Sequence, residues 1–215
     1  MIRSSKFLFA ACVAMSAVGA AAQTKLDRQL SYFDLGIQGV GQFTSSTSGT
    51  INYPGAFDQG TVATQTASTS LGALITLRYT PKPYLGAEFN GGYARYAETY
   101  NVNPLQVQTQ ANELTVGYVI TPPYTIFGVK PYASAGGGAV RFAPTAGGGE
   151  ETYTQARGAY YYNLGVQKEV FGNHLGLRLG FRQVFFLAPD FQENYLALNK
   201  RVSTAEPMVG FYLHY

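Results

Sequence analysis

The chain has 215 residues, a length that fits a single domain. Only 13% of its residues are charged, against roughly 25% in ordinary soluble domains. The formal net charge is +3 and no basic run accompanies it, which excludes a typical nucleic-acid-binding surface.

Residues 1–22 have the pattern of a secretory signal peptide. Cationic residues precede a short apolar core, and small residues at 20–22 fit a signal-peptidase site. A retained membrane helix is the alternative, but the apolar core is shorter than the roughly 20 residues that a bilayer requires. We therefore predict cleavage after Ala22 and a short periplasmic segment over 23–31. The mature chain would contain no cysteine, because Cys12 is the one cysteine of the sequence.

The mature chain contains eight segments in which apolar and polar residues alternate. Alternation at every second residue is the period of a β-strand, because successive side chains point to opposite faces of a sheet. The fifth segment is rich in glycine and alanine, so its pattern leaves the facing of its side chains open. The predicted strands cover about 32–43, 70–79, 84–96, 111–121, 129–142, 159–170, 175–186 and 203–215.

The spacers between these segments alternate between short and long. Compact turns rich in turn-forming residues lie at 80–83, 121–123 and 171–174. Long polar stretches lie at 44–69, 97–110, 143–158 and 187–202. This alternation predicts an up-and-down sheet with short turns at one end and long loops at the other. The acidic loop residues Asp58, Glu98, Glu150 and Glu151 indicate a solvated loop surface.

With this alternation and these spacers, the chain resembles the small outer-membrane β-barrel proteins of double-membraned bacteria, of the OmpA/OmpX/OmpW type. The resemblance implies an all-β fold, an eight-stranded antiparallel up-and-down transmembrane β-barrel over 32–215. It also implies an outer-membrane location in contact with lipid and lipopolysaccharide, and we expect a monomer. In such proteins the last strand ends in an aromatic residue that the barrel assembly machinery recognises. The resemblance therefore assigns Phe211, Leu213 and Tyr215 as the assembly signal.

A soluble eight-stranded barrel of the lipocalin type is the alternative fold. Its charged residues would face water on the outside of the barrel. In the seventh predicted strand, however, Arg178 and Arg182 lie opposite a continuous aliphatic face that includes Leu177 and Leu179. Only helices and closed barrels satisfy every backbone group in lipid, so this pattern favours the membrane barrel.

If the aliphatic faces meet lipid, the charged side chains opposite them face the lumen. Buried charges persist only when they are paired, and eight strands enclose a space just wide enough for side chains to fill. We therefore predict interlocking salt bridges that plug the barrel, with Arg182 and Glu206 as one pair; a selectivity filter is the alternative. The predicted luminal charge network consists of Asp34, Arg78, Glu88, Glu113, Lys130, Arg178, Arg182 and Glu206.

The sequence offers little for catalysis, and we expect no enzyme, no cofactor and no metal. The two histidines, His174 and His214, fall at the periplasmic end of the predicted barrel. Neither can reach the outer rim, where some barrels of this size carry a Ser/His-type lipid-modifying site, and two separate histidines make no metal site. The glycine triplets at 136–138 and 147–149 lack the Lys-Ser/Thr of a phosphate loop and indicate sheet bending instead. We predict a structural or surface-interaction barrel first, a narrow pore for small solutes second and a lipid-modifying enzyme third.

Aromatic residues near the strand ends fit the two girdles that membrane barrels place at the lipid–water interfaces. The residues assigned to these girdles are Tyr79, Tyr84, Tyr96, Tyr118, Tyr132, Phe142, Tyr160, Phe171 and Phe186.

Overall fold

A computed structural model describes residues 29–51, 54–55, 59–102, 106–145, 152–171, 174–193 and 196–214 of the chain. The predicted signal peptide, most of the segment 23–31, the glycine triplet at 147–149 and Tyr215 lie outside the described residues. The cleavage site and the boundaries drawn from it therefore stay predictions.

Ten β-strands occupy the described residues: β1 (Phe33–Thr44), β2 (Thr47–Thr50), β3 (Val62–Ala67), β4 (Ser70–Tyr79), β5 (Leu85–Tyr100), β6 (Gln106–Ile120), β7 (Lys130–Pro144), β8 (Gln155–Phe171), β9 (Leu175–Leu187) and β10 (Arg201–His214). Strands β1 and β4 to β10 pair in chain order, all antiparallel, and β1 pairs with β10 to close the ring. The predicted eight-stranded up-and-down barrel is therefore confirmed. No helix in the described part of the chain is long and apolar enough to cross a membrane.

The middle of the barrel is apolar on its outside and polar on its inside. On β4, Ile75 and Leu77 are 52% and 41% exposed, whereas Arg78 is 2% exposed. On β9, Leu179 is exposed and the neighbouring Arg178 is fully buried. A continuous belt of exposed apolar side chains is unfavourable in water but suits lipid. The barrel is therefore built to span a membrane, and the soluble lipocalin-like alternative is excluded.

Several strands extend beyond their predicted ends on the side of the long loops. β5 continues to Tyr100 and β6 begins at Gln106, and the additional hairpin of β2 and β3 pairs with the end of β5. The sequence pattern missed these extensions because their outward residues, such as Thr99 and Gln108, are polar, so the apolar alternation stops before the strand does. We name this end of the barrel the loop end and the opposite end the turn end.

The connections at the turn end are compact. Those predicted at 80–83 and 171–174 join β4 to β5 and β8 to β9. The connection predicted at 121–123 continues to residue 129, because Ile126 and Val129 exchange two backbone hydrogen bonds of 2.9 and 3.0 Å. Phe127 lies at the tip of this small hairpin with a φ of 50°.

The fifth predicted strand, whose facing the sequence left open, is β7. Its residues Tyr132 and Phe142 are buried and point into the barrel. Gly136 shares the inward face, and a Cβ at this position would overlap the backbone carbonyl oxygen of Val116 on β6. Gly136 and Gly138 thus allow β6 and β7 to approach closely, whereas a Cβ at Gly137 would lie near the backbone oxygen of Ala159 on β8.

The girdle prediction is wrong for several of its residues. Four of them are exposed on the outer surface as predicted: Tyr79, Tyr84, Tyr118 and Tyr160. Four others are buried and point into the lumen: Tyr96, Tyr132, Phe142 and Phe186. The prediction used nearness to a strand end, but the alternation of the strand decides which way a side chain points. The side chain of Phe171 lies outside the described part of the chain.

Candidate functional site: the barrel lumen

The half of the lumen near the turn end, which we name the turn half, contains ion pairs between neighbouring strands. The sheet register places Arg78 of β4 between Asp34 of β1 and Glu88 of β5. The Nε of Arg78 donates to Oε2 of Glu88 at 2.9 Å, and both side chains are almost fully buried. With so little water to solvate either charge, each depends on its partner.

Arg178 of β9 connects to the same region from another strand. Its Nη2 donates to Oδ1 of Asp34 at 2.9 Å and to Oε1 of Gln167 at 3.1 Å. The guanidinium lies 4.7 Å from the ring centroid of Tyr212, a cation–π contact. Gly36 leaves room for this group, since a Cβ there would lie 2.9 Å from Nη1 of Arg178.

Arg182 of β9 is the centre of a second charged group. Its Nη1 donates to Oε2 of Glu206 at 2.7 Å, so the pair predicted from strand order is present. It also donates to both carboxylate oxygens of Glu113, a partner that the sequence analysis did not assign. The guanidinium lies 4.4 Å from the ring centroid of Tyr161. One cation thus neutralises two carboxylates from strands that are not adjacent.

Neutral polar side chains link these charged groups into one layer. The hydroxyl of Tyr161 donates to Oε1 of Glu88 at 2.7 Å and accepts from Nδ2 of Asn90 at 3.1 Å. The hydroxyl of Thr76 donates to Oδ1 of Asn90 at 2.9 Å. The inward positions of the predicted strands would have located these residues, but the sequence analysis searched those positions for charges alone.

Lys130 does not join the buried groups, and this corrects its predicted place in the luminal network. Its Nζ lies 2.8 Å from Oε1 of Glu169, and the two side chains are 48% and 42% exposed. The physical reason is its position, because Lys130 is the first residue of β7 and its long side chain reaches water at the turn end. The other seven predicted residues lie inside the barrel.

A cavity of about 290 Å³ opens at the turn end. Lys82, Lys130 and Glu169 lie at its rim, and the buried Asp34 and Arg78 line its inner end. The cavity therefore leads from the periplasmic side of the predicted orientation to the ion pairs of the turn half.

The half of the lumen near the loop end, the loop half, contains apolar side chains instead. The rings of Phe142 and Phe186 point inward with centroids 5.2 Å apart. The segment after β9 adds Phe191 and Leu196, neither of which has exposed surface. The sequence analysis had treated this segment as a solvated loop, so it did not predict this cluster. We name it the apolar cap and define it as Tyr96, Tyr100, Phe142, Phe186, Phe191 and Leu196.

Polar groups of β8 hold this segment over the lumen. Oε1 of Gln155 accepts the backbone N–H of Asp190 at 3.0 Å and that of Phe191 at 3.2 Å. Nη2 of Arg157 lies 2.6 Å from Oδ2 of Asp190. Phe191 and Gln192 have φ angles of 50° and 65°, which L-residues rarely adopt. The polar contacts therefore stabilise a strained backbone that turns Phe191 inward.

Glu98 is buried among these apolar side chains, which corrects its assignment to a solvated loop surface. It is 2% exposed and lies well past Tyr93, the last exposed apolar residue of β5. Its carboxylate accepts hydrogen bonds from the Gln65 amide and from the Tyr100 hydroxyl, and no ion pair is recorded for it within the described ranges. Burial raises the pKa of Glu98 to about 8 despite the opposing effect of these hydrogen bonds.

The end of β10 and the two histidines lie at the turn end. Phe211 and Leu213 of the predicted assembly signal face outward, each 56% exposed, and their recognition stays a prediction. Nδ1 of His174 lies 3.1 Å from the backbone oxygen of His214. Among the residues that the structure describes, no group of three or more potential metal ligands is found.

No protein-family model matches the sequence, and no curated protein matches it either. The crystal structure of Neisserial surface protein A aligns with a TM-score of 0.56 at 17% identity, over 85% of this chain and 97% of that protein. The outer membrane protein OprG from Pseudomonas aeruginosa aligns with a TM-score of 0.60 at 13% identity, over 84% and 94% of the two chains. The chain therefore has the fold of the small outer-membrane barrels, as the sequence resemblance implied.

Proposed function

We propose that this chain is an outer-membrane barrel with a closed lumen and a structural or surface-interaction role. Three features support the location: the fold shared with an outer membrane protein, the apolar exterior of the barrel, and the predicted export signal. In the proposed orientation the turn end faces the periplasm and the loop end faces the outside of the cell.

The proposal of a closed lumen rests on one observation. Two groups of side chains with different chemistry fill the lumen, one after the other along the barrel axis; we call them the two fillings. The turn half contains the ion pairs of Arg78, Arg178 and Arg182, and the loop half contains the apolar cap. A space of about 30 Å³ beside Glu113 and Arg182 lies between them, large enough to hold water. A sugar or an amino acid would therefore have to displace both fillings to pass.

The loop end supports a surface role because its described segments are folded and have buried residues of their own. The hairpin of β2 and β3 packs against the segments after β5 and β9 through a small apolar cluster of Ile51, Ala63, Val102 and Leu198. The end of β3 also pairs with β5. A loop end with its own buried residues presents a fixed shape to a partner, so less conformational entropy is lost on binding.

A narrow pore for small solutes is the second candidate function. The observation that favours it is the cavity of about 290 Å³ at the turn end, which has both charged and polar lining residues. The expectation that the chain is not an enzyme stays a prediction; in the proposed orientation both histidines lie on the periplasmic side.

Liposome swelling tests the closed lumen. Mature protein would be refolded into phosphatidylcholine liposomes, and folding would be verified by its heat-dependent mobility on a gel. On dilution into isosmotic arabinose, these liposomes should swell no faster than protein-free ones, whereas liposomes with an open porin should swell rapidly. Swelling that increases with the amount of folded protein would contradict the closed lumen and favour the pore.

A further inference from the structure

Three arginines at the loop end point away from the lumen. Arg95 of β5, Arg141 of β7 and Arg201 of β10 are exposed on the outer face. No carboxylate lies within 4 Å of these three among the described residues, whereas the luminal arginines and Arg157 each have one. Within the described residues their charges are therefore not used in ion pairs, although the guanidinium of Arg201 lies 5.5 Å from the ring centroid of Tyr160.

Arg95 and Arg141 lie at the outer edge of the apolar belt. Arg95 follows Tyr93 by two residues on the same face of β5, a distance of about 7 Å along the strand. Arg141 lies in the same row of the sheet as Tyr93, with Asn112 of β6 between them. Tyr93 is 47% exposed and is the last apolar outward residue of its strand before Arg95. Tyrosines of this kind mark the interface of a membrane barrel, so both arginines lie at the depth of lipid headgroups.

Amide side chains fill the surface between the two arginines. Gln110 of β6 pairs with Arg95 in the register, and Asn112 pairs with Arg141. The Nη2 of Arg95 donates to the hydroxyl of Thr145 at 3.2 Å, so its guanidinium extends across β6 towards the end of β7. No acidic residue of β5, β6 or β7 shares this outward face, because Glu88, Glu98 and Glu113 all point inward. We name this surface the arginine–amide patch and define it as Arg95, Gln108, Gln110, Asn112, Arg141 and Thr145.

The chemistry of this patch fits phosphate groups attached to a lipid. Each guanidinium offers a planar fork of N–H donors that matches phosphate oxygens. The backbones of the two arginines are two strands apart, about 10 Å across the sheet, and two residues apart along it, about 7 Å, so each side chain can engage its own phosphate. The amides between them can exchange hydrogen bonds with sugar hydroxyls, and the apolar belt that begins at Leu114 continues in the direction of the acyl chains.

We propose that the arginine–amide patch binds the headgroup of a phosphorylated glycolipid in the outer leaflet. Arg95 and Arg141 donate to its phosphates, and Gln110 and Asn112 bond to the sugar between them. The inference rests on the proposed function through the orientation of the barrel, since it requires the loop end to lie in the outer leaflet.

Lipid retention tests this proposal on the mature protein, refolded in dodecyl maltoside micelles. Diphosphoryl lipid A would be added, and bound lipid would be counted by native mass spectrometry. The double variant Arg95→Gln/Arg141→Gln should bind at least about tenfold more weakly, because two charge-assisted contacts are lost. Lys168 is exposed near the end of β8, at the turn end, as Lys82 is. The matched control Lys82→Gln/Lys168→Gln removes the same charge from the turn end and should bind as the wild type does. Gel mobility would establish that all three proteins are folded.

The other arms of the experiment separate the sources of phosphate. Dephosphorylated lipid A should bind weakly, and inorganic phosphate should not displace the diphosphoryl lipid. Displacement by inorganic phosphate would overturn the lipid assignment in favour of a free-anion site. Equal losses in the two double variants would also overturn the proposal, since net charge alone would then explain binding. If the folded wild type binds no lipid A, the proposed lipid site is wrong, but the proposal of a closed lumen is unaffected. If the liposomes swell, the proposal of a closed lumen is wrong, but the proposed lipid site is unaffected.

Discussion

The turn half and the loop half of the lumen have opposite chemistry, and the surroundings of the barrel explain why. Around the turn half the barrel meets lipid, so apolar residues such as Phe89 of β5 point outward and polar ones such as Asn90 point inward. Farther along the same strand the barrel projects into water. There Thr99 points outward and Tyr100 points inward, as in a soluble protein. The barrel therefore reverses its inside and outside polarity along its axis because the solvent changes from lipid to water.

The two halves also differ in how their parts depend on one another. In the turn half, Arg182 forms ion pairs with both Glu113 and Glu206. Removing the charge of Arg182 therefore leaves two buried carboxylates without a cationic partner. In the loop half, the phenylalanines and Leu196 of the apolar cap contribute by burial, and each of them can be truncated without removing the partner of a buried charge. Substitutions should therefore have larger effects in the turn half.

Arg182→Met should have the largest effect on stability. It leaves two buried carboxylates without their cation, and we expect a loss of about 3–5 kcal/mol in the free energy of unfolding. Urea unfolding of the refolded protein in micelles measures it. Glu206→Gln should lose less, because Arg182 keeps Glu113 as its partner.

The matched control for this prediction is Lys130→Met, which removes a cation from the exposed pair with Glu169. A surface pair of this kind contributes about 1 kcal/mol or less. Equal losses of unfolding free energy for Arg182→Met and Lys130→Met would show that the buried ion pairs stabilise the barrel no more than an exposed pair does. That result would contradict the comparison of the two halves.

Phe191→Ala should loosen the apolar cap by about 3 kcal/mol, the lower end of the range for truncating a buried phenylalanine. The effect should be local, so protease should cut within 188–193 while the barrel keeps its folded gel mobility. Phe127→Ala is the matched control, because both phenylalanines have a φ of 50° but Phe127 is wholly exposed. If both variants are cut equally fast at 188–193, burial of Phe191 does not hold the cap.

The smallest expected effect is a pH dependence of the apolar cap through Glu98. Its pKa is about 8 when the cap is closed, against an ordinary value of 4.5, so the closed cap favours the protonated form. The stability that protonation gives is complete below about pH 4.5, declines as the pH rises and is lost above about pH 8.

Hydrogen exchange of the segment after β9 measures this pH dependence. Wild type and Glu98→Gln would be compared at the same pH, so that intrinsic exchange rates cancel. The two proteins should exchange alike at pH 5, and the wild type should exchange faster at pH 9. A constant ratio between them over this range would rule out Glu98 as the titrating group.

The same difference in solvent decided how much the sequence could predict. The bounds of β4 were predicted as observed, because Leu71, Ile75 and Leu77 alternate with inward residues against lipid. The loop-end extensions of β5 and β6 were missed, because polar outward residues such as Gln108 have the sequence pattern of a solvated loop. The pair Arg182–Glu206 followed from strand order, but Glu113 comes from across the barrel and needs the closed ring. The inward turn of Phe191 depends on Gln155 of another strand, which no local pattern encodes.

Single-channel recording tests the central claim, that two fillings in series close the lumen. Folded wild-type protein would be inserted into a planar lipid bilayer beside the cap variant Phe191→Ala/Leu196→Ala. The account predicts no stepwise conductance from either protein, because the ion pairs still close the turn half when the cap is reduced. Reproducible steps from the wild type would contradict the closed lumen, and steps from the cap variant alone would contradict the closure of the turn half.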